Sequence, residues 1–209
     1  MSNNIIEKLH TLEETAAYIC TKLKEKRIDV VLSGGSCMEI YTKSNFSSLD
    51  IDFIPNPSVI SKQIEETMIE LGFKKIPPRY YKHDNNPNYV EFPTGPVSLG
   101  NDLIKEFSEL KTHVGNLTLL TPTDCIKDRL CALVYHGGEE CFSQAVAVAH
   151  LNSFDKENLI NWAKKEDPLM IEKVDVLLSS VSLIQKDNIP KEEIIKYLGS
   201  KAKDFYLDI

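Results

Sequence analysis

Apolar side chains recur at Ile5, Leu9, Leu12, Ala16, Ile19 and Leu23. Steps of three and four line one face of a helix, so a helix is predicted over 4–26. The period then changes. Ile28 to Leu32 is a short run dominated by β-branched and other apolar residues, the mark of a buried strand. Ser33-Gly34-Gly35 makes a tight connection into a short helix over 36–43, and Leu49 to Ile54 reads as a second strand stopped by Pro55 and Pro57. Ser58 suits an N-cap for a helix that ends at Gly72, with Ile60, Ile64, Met68 and Leu71 on its core stripe. Phe73 to Phe92 reads as strands with a polar interruption at His83 to Asn88, Tyr89 to Phe92 being the clearest, and Val97–Leu99 and Leu117–Leu120 add shorter ones. From Thr121-Pro122 onward the pattern is helical throughout. Helices are predicted over 122–136, 140–151, 155–166, 168–186 and 190–204, with Thr121, Asp155 and Pro168 as starts and Gly137-Gly138 as a stop.

This order of elements predicts an α/β (α+β) domain over residues 1–120, a short mixed sheet flanked by helices. An all-helical half over 121–209 follows, with no linker between, and is expected to pack against the first. The 209 residues carry 42% hydrophobic and 26% charged positions, ordinary for a chain that buries a real core in water. No apolar run approaches the roughly 20 residues needed to cross a bilayer, and Met1-Ser2-Asn3-Asn4 lacks the basic start of a secretion signal. A cytoplasmic protein without a membrane partner is the expectation. The five cysteines are odd in number and lack CxxC spacing, so free thiols are expected. The net charge of −7 argues against binding long nucleic acid. It leaves a small nucleotide open, because metal ions can supply local positive charge.

Chemistry concentrates in Leu49-Asp50-Ile51-Asp52-Phe53. In a strand, Leu49, Ile51 and Phe53 face one way and the two aspartates the other. Two adjacent carboxylates repel, and a divalent cation with a taste for hard oxygen is the usual remedy. Upstream, a strand runs through Ser33-Gly34-Gly35-Ser36 into a helix. Glycines let a ligand approach the backbone, a helix start offers N–H groups to anions, and the Ser36 hydroxyl is placed to reach a phosphate oxygen. In Tyr89-Val90-Glu91-Phe92, Glu91 faces away from Val90 and Phe92. It is a candidate third acid, either general base for an attacking hydroxyl or ligand to the metal that activates it.

Gly35-Ser36, thirteen residues, then Asp50-Ile51-Asp52, with Val30-Val31-Leu32 ahead and Leu49 and Phe53 flanking, resembles the signature of the DNA polymerase beta-like nucleotidyltransferase superfamily. The resemblance covers residues 28–54 and extends to Glu91. Thr121 to Leu130 is similar to the first C-terminal helix of small bacterial nucleotidyltransferases, including those of abortive-infection and toxin–antitoxin systems, in which a helix lysine reaches the nucleotide phosphates; Lys127 matches that position. The resemblance implies a nucleotidyltransferase fold and a magnesium- or manganese-dependent transferase. Asp50, Asp52 and Glu91 would be its catalytic and metal-binding residues, with Gly34, Gly35, Ser36 and Lys127 against a nucleoside triphosphate such as ATP. A nucleoside monophosphate would pass to a hydroxyl of a tRNA, a protein or a small molecule. A non-catalytic nucleotide- or partner-binding module of a toxin–antitoxin or defence pair is the alternative, and either form could oligomerise. The remaining features are read as structural. Lys74, Lys75, Arg79, Lys82 and His83, with Tyr80 and Tyr81 between, could receive an RNA or nucleotide acceptor, but a solvated hairpin face is the plainer reading. His136 sits at a helix end and Trp162 reads as a packing aromatic.

Overall fold

The computed structural model describes residues 5–190 together with 193, 194, 196–198 and 200. Met1–Asn4 and most of the helix expected over 190–204 lie outside the described residues. The chain forms two compact units. The first comprises Met1–Cys37, Ser47–Ser98 and Leu103–Thr121, and the second Met38–Phe46, Leu99–Asp102 and Pro122–Ile209.

The first unit is built on a mixed sheet. Its strands are β1 (Val30–Ser33), β2 (Asp50–Pro55), β3 (Lys74–Ile76), β4 (Tyr80–Lys82), β5 (Tyr89–Glu91), β8 (Ser108–Lys111) and β9 (Asn116–Leu119), while β6 (Ser98–Leu99) and β7 (Asp102–Leu103) pair separately. The seven-stranded order is β3-β4-β5-β2-β1-β9-β8. β2 runs antiparallel to β1 and parallel to β5, and β1 runs parallel to β9. Helices α1 (Leu12–Glu25) and α3 (Ser61–Glu70) belong to this unit, α1 packing on β9 and β1 and α3 on β3. Helix α2 (Gly34–Tyr41) leaves directly from the end of β1.

The two faces of this sheet have different jobs. Leu32, Ile51, Phe53 and Val90 share one face by register and are fully buried, so this face makes the core. The alternate positions, Ser33, Asp50, Asp52 and Glu91, share the other face. The interruption at 83–88 is not a loose loop. His83, Asn86 and Asn88 are buried, and the Asn86 amide donates to the Thr15 hydroxyl at 3.1 Å, which ties the entry of β5 to α1. Buried polar groups need such partners.

Several elements differ from expectation; among them, β7 (Asp102–Leu103) was not expected and α2 starts at Gly34 rather than at 36. The first helix begins at Leu12, behind a separate 3-10 turn over Ile5–Lys8. Thr11 and Glu14 form a capping box, the Glu14 N–H donating to the Thr11 hydroxyl at 3.1 Å and the Thr11 N–H to the Glu14 carboxylate at 3.2 Å. That T-x-x-E signal was in the sequence, but the apolar stripe runs straight across it. Ser58 does not cap α3; its hydroxyl donates to Asn56 Oδ1 at 2.8 Å in a turn, and the helix starts at Ser61. Strand β8 was not expected, because Ser108-Glu109-Leu110-Lys111 is a half-exposed edge strand with little apolar content.

The second unit contains α4 (Pro122–His136), α5 (Glu140–Leu151), α6 (Lys156–Ala163) and α7 (Pro168–Lys186). Asp155 caps α6 by accepting from the Asn158 N–H at 2.9 Å, and Asp167 caps α7 by accepting from the Leu169 N–H at 2.9 Å. Trp162 is buried as expected, its indole N–H donating to the Leu99 carbonyl at 3.0 Å. All five cysteines are free. Burial raises the thiols of Cys20 and Cys141 and pushes Cys131 up to about 12, so thiolates are scarce at neutral pH. Among the described residues no helix is long and apolar enough to cross a membrane.

Phe53 carries much of the sheet core, fully buried and stacked on Phe92 with ring centroids 6.1 Å apart. Phe53→Ala should lower unfolding free energy by about 3–5 kcal/mol, measured as a shifted urea midpoint at unchanged slope.

Candidate active site

The site begins with two glycines. Gly34 follows β1 and opens α2 with φ +67°, a left-handed conformation that glycine adopts without penalty. A Cβ there would overlap the Asp52 carboxylate, so the Gly34 backbone packs directly on that side chain. A Cβ on Gly35 would lie 2.9 Å from the Ser48 hydroxyl, just before the aspartate strand. The glycine turn and the aspartates are therefore one structure, with the first N–H groups of α2 beside a carboxylate. Helix starts attract anions. Ser36 has a specific task in this arrangement. Its fully buried hydroxyl donates to the Ser33 carbonyl at 3.0 Å and accepts from the Asp52 N–H at 3.4 Å, strapping the turn to β2.

Strand register arranges the acids in rungs across the sheet. One rung runs Ser33, Asp52, Glu91, Tyr80, Ile76. The next runs Asp50, Tyr89, Lys82, Lys74. Neighbouring strands lie about 4.8 Å apart, so Glu91 stands beside Asp52 on the same face. Asp50 and Asp52 are half-exposed, whereas Glu91 is buried.

Glu91 is held by a cation. The Arg79 Nε lies 2.6 Å from Glu91 Oε1 in an ion pair, with the arginine side chain 61% exposed and the glutamate side chain 9%. The guanidinium also lies over the Tyr80 ring, 5.7 Å from its centroid. Its pKa is raised by hydrogen bonding to Tyr80, then by the charge of Glu91, and more weakly by Asp52. On the other rung, Lys82 stands 4.4 Å over the Tyr89 ring and its ammonium donates to the Pro87 carbonyl. Desolvation lowers the Lys82 pKa, and the nearby Asp50 charge opposes that. The basic cluster of the sequence thus divides. Lys74 pairs with Asp84 and Lys75 with Glu65 on the surface, while Arg79 and Lys82 serve the acidic rungs. The sequence places Arg79 and Lys82 in a basic cluster read as a solvated hairpin face, because their approach to the acids depends on the β4–β5 register, which alternation within each strand does not reveal.

Asp50 and Asp52 offer the hard carboxylate oxygens that Mg2+ prefers, and Mg2+ is commonly held by one or two carboxylates with substrate phosphates completing its shell. That donor set fits a nucleotide-bound magnesium. Among the described residues no group of three or more His, Cys, Asp or Glu side chains is gathered to hold a metal by itself, consistent with Glu91 being engaged by Arg79. Lys127 lies on α4 in the second unit. It is buried, its ammonium 2.8 Å from Asp124 Oδ1 and 5.9 Å from the centroid of the Trp162 ring.

Comparison with protein-family models gives no match, and none of the curated proteins matches the sequence. Among solved structures the fold is similar to that of an antigenic nucleotidyltransferase-like protein from Paracoccidioides brasiliensis. The TM-score is 0.54 at 14% identity, covering 84% of this chain and 88% of that one. The chain therefore has a nucleotidyltransferase-like fold, and at this identity the likeness speaks for fold alone.

Gly34→Ala should cost about 1–3 kcal/mol through overpacking and backbone strain. Thermal denaturation should show the loss, and titration with Mg2+ and ATP should show weakened binding even at temperatures where the variant is folded.

Proposed function

We propose that this protein transfers a nucleoside monophosphate from a nucleoside triphosphate to a hydroxyl acceptor. The observation that carries the reading is the packing of the Gly34 turn on Asp52, which sets a helix start beside two half-exposed aspartates on one sheet face. A phosphate chain bound to the backbone N–H groups of Gly34, Gly35 and Ser36 would extend toward Asp50 and Asp52. Divalent ions bound with it, Mg2+ or Mn2+, would supply the positive charge that two-carboxylate sites use at reacting phosphates. The acceptor oxygen attacks the α-phosphorus, the bond to the β-phosphate breaks, and pyrophosphate leaves with the bonding pair. Glu91, once released by Arg79, takes the hydroxyl proton. Arg79 is mostly exposed and so is the mobile partner of that pair, free to turn toward phosphate charge. The chain's own contribution is positioning and charge compensation.

The Arg79–Glu91 pair also favours a second reading, a nucleotide-binding module that does no chemistry because its third acid is permanently neutralised. The two readings part on one assay. With Mg2+, α-labelled nucleoside triphosphates and candidate acceptors, including total tRNA, the enzyme reading expects label transfer and pyrophosphate release. Asp50→Ala and Asp52→Ala should each reduce transfer by at least about 100-fold, the scale of losing a charge-stabilising group. Nucleotide binding without transfer would establish the module instead, and transfer that survives both substitutions would refute this site.

Arg79 supplies a separate measurement. Arg79→Ala frees the Glu91 carboxylate, so Mn2+ affinity, read by electron paramagnetic resonance in the presence of ATP, should rise several-fold. Glu91→Gln should reverse that gain in the double variant. Unchanged Mn2+ affinity in Arg79→Ala would remove Glu91 from the metal's reach.

A further inference from the structure

A cavity of about 540 Å³ opens in the first unit at the ends of β1 and β2 away from the aspartates, lined by Val31 and Ile54 of the carboxylate face together with Cys20 and Lys24 of α1. Its floor includes Val31 and Ile54, which pair in the rung next to Ser33 and Asp52. Two residues along a strand span about 6.6 Å, so the floor lies within a small molecule's length of the aspartates. Thr118 and Glu109 share this face, since Leu32 pairs with Leu119 and Glu109 with Thr118.

The walls are apolar yet incompletely covered. Val97, Leu103, Ile104 and Phe107 line the space, with Leu103 exposed and Ile104 and Phe107 half-buried. Gly95, the neighbour of the lining Pro96, has no room for a Cβ against the Pro55 carbonyl, so the chain leading to that wall packs directly on the end of β2. Polar groups are few and sit at the margin, namely Asp29, Lys24, Asn56 and Glu109, the last accepting from the Thr118 hydroxyl at 2.7 Å. The volume falls within the roughly 300–1,000 Å³ of small-molecule sites, which are mostly apolar with a few placed polar groups.

We infer that this cavity is the acceptor site, and that the acceptor is a small, largely apolar molecule carrying a hydroxyl group. The inference rests on the nucleotidyltransferase reading, because it takes Asp50 and Asp52 as the reacting centre. Three observations select this occupant. The volume suits a small molecule rather than a polymer surface. The lining is dominated by aliphatic side chains and proline, with Phe107 as the aromatic member. Two carboxylates, Asp29 and Glu109, oppose the single cation Lys24, so the margin disfavours the phosphate backbone of a nucleic acid. A body seated over Ile54 points one end along the face toward Asp52, the position an attacking hydroxyl needs.

The test uses 7-hydroxycoumarin, an apolar bicyclic molecule with one hydroxyl, titrated by fluorescence and by ligand-detected NMR. Saturable binding is expected at about 1 mM or tighter, the range for a fragment of this size. Ile54→Trp fills the floor and should weaken binding at least tenfold. Leu103→Asp, at a position 52% exposed and therefore safe for folding, should do the same by charging the wall. Mg2+·ATP and the coumarin should bind together. Mutual exclusion would make the cavity a nucleobase pocket and overturn the acceptor assignment. Coumarin that fails to bind, or binds both variants as it binds the unaltered protein, would sink the cavity while leaving Mg2+·ATP binding to speak for the nucleotide site. Coumarin binding with no Mg2+·ATP binding would sink the nucleotidyltransferase reading and the acceptor assignment with it.

Discussion

The site depends on one close contact, the Gly34 backbone against the Asp52 carboxylate. No side chain can stand between them, so the end of β1 and the middle of β2 must meet at van der Waals distance. The antiparallel pairing of Val30 to Ser33 with Asp52 to Pro55 brings the chains to that point, and the Ser36 hydroxyl then bonds to the backbone of both. A helix start and a carboxylate pair, which would otherwise be separate surface features, become a single electrostatic unit. Its helix end attracts anions and its acids attract cations, and a metal-bound phosphate chain satisfies both together.

Charge is the second constraint. Three carboxylates on adjacent positions of one sheet face cannot all ionise without compensation. The sheet supplies part of it from its own edge half, where Arg79 binds Glu91 and Lys82 stands near Asp50, each cation also leaning on a tyrosine ring. The chain's overall balance of −7 hides this local arrangement. Glu91 is buried and Arg79 exposed, so the compensating cation stands on the solvent side of the pair.

The same face continues past the acids into apolar territory. Alternation along β1 and β2 sends Ser33 and Asp52 outward, and then Val31 and Ile54 two positions further on. The first pair is polar and the second apolar, so one continuous surface carries the candidate site and, beside it, apolar positions that line a cavity. The core-facing residues Leu32, Ile51 and Phe53 hold both in register from beneath.

Much of this could be read from residue order. Strand alternation alone sorts Asp50 and Asp52 from Ile51 and Phe53, and the glycine pair after a β-branched run marks a tight turn into a helix. Those are local rules with short periods, and the structure follows them. The α/β character of the first half and the helices between 122 and 186 were legible for the same reason. Other features depend on which strands become neighbours. The pairing of Asp52 with Glu91, the reach of Arg79 and Lys82 toward the acids, the burial of the Ser36 hydroxyl and the cavity over Ile54 join residues from 12 positions apart, Arg79 and Glu91, to 98, Cys20 and Thr118. The amino-acid order by itself determined which face of their own strand the candidate residues occupy, because period and propensity are local properties. Folding determined which cation compensates which acid and where the cavity opens, because register between distant strands is settled by the packing of the whole sheet.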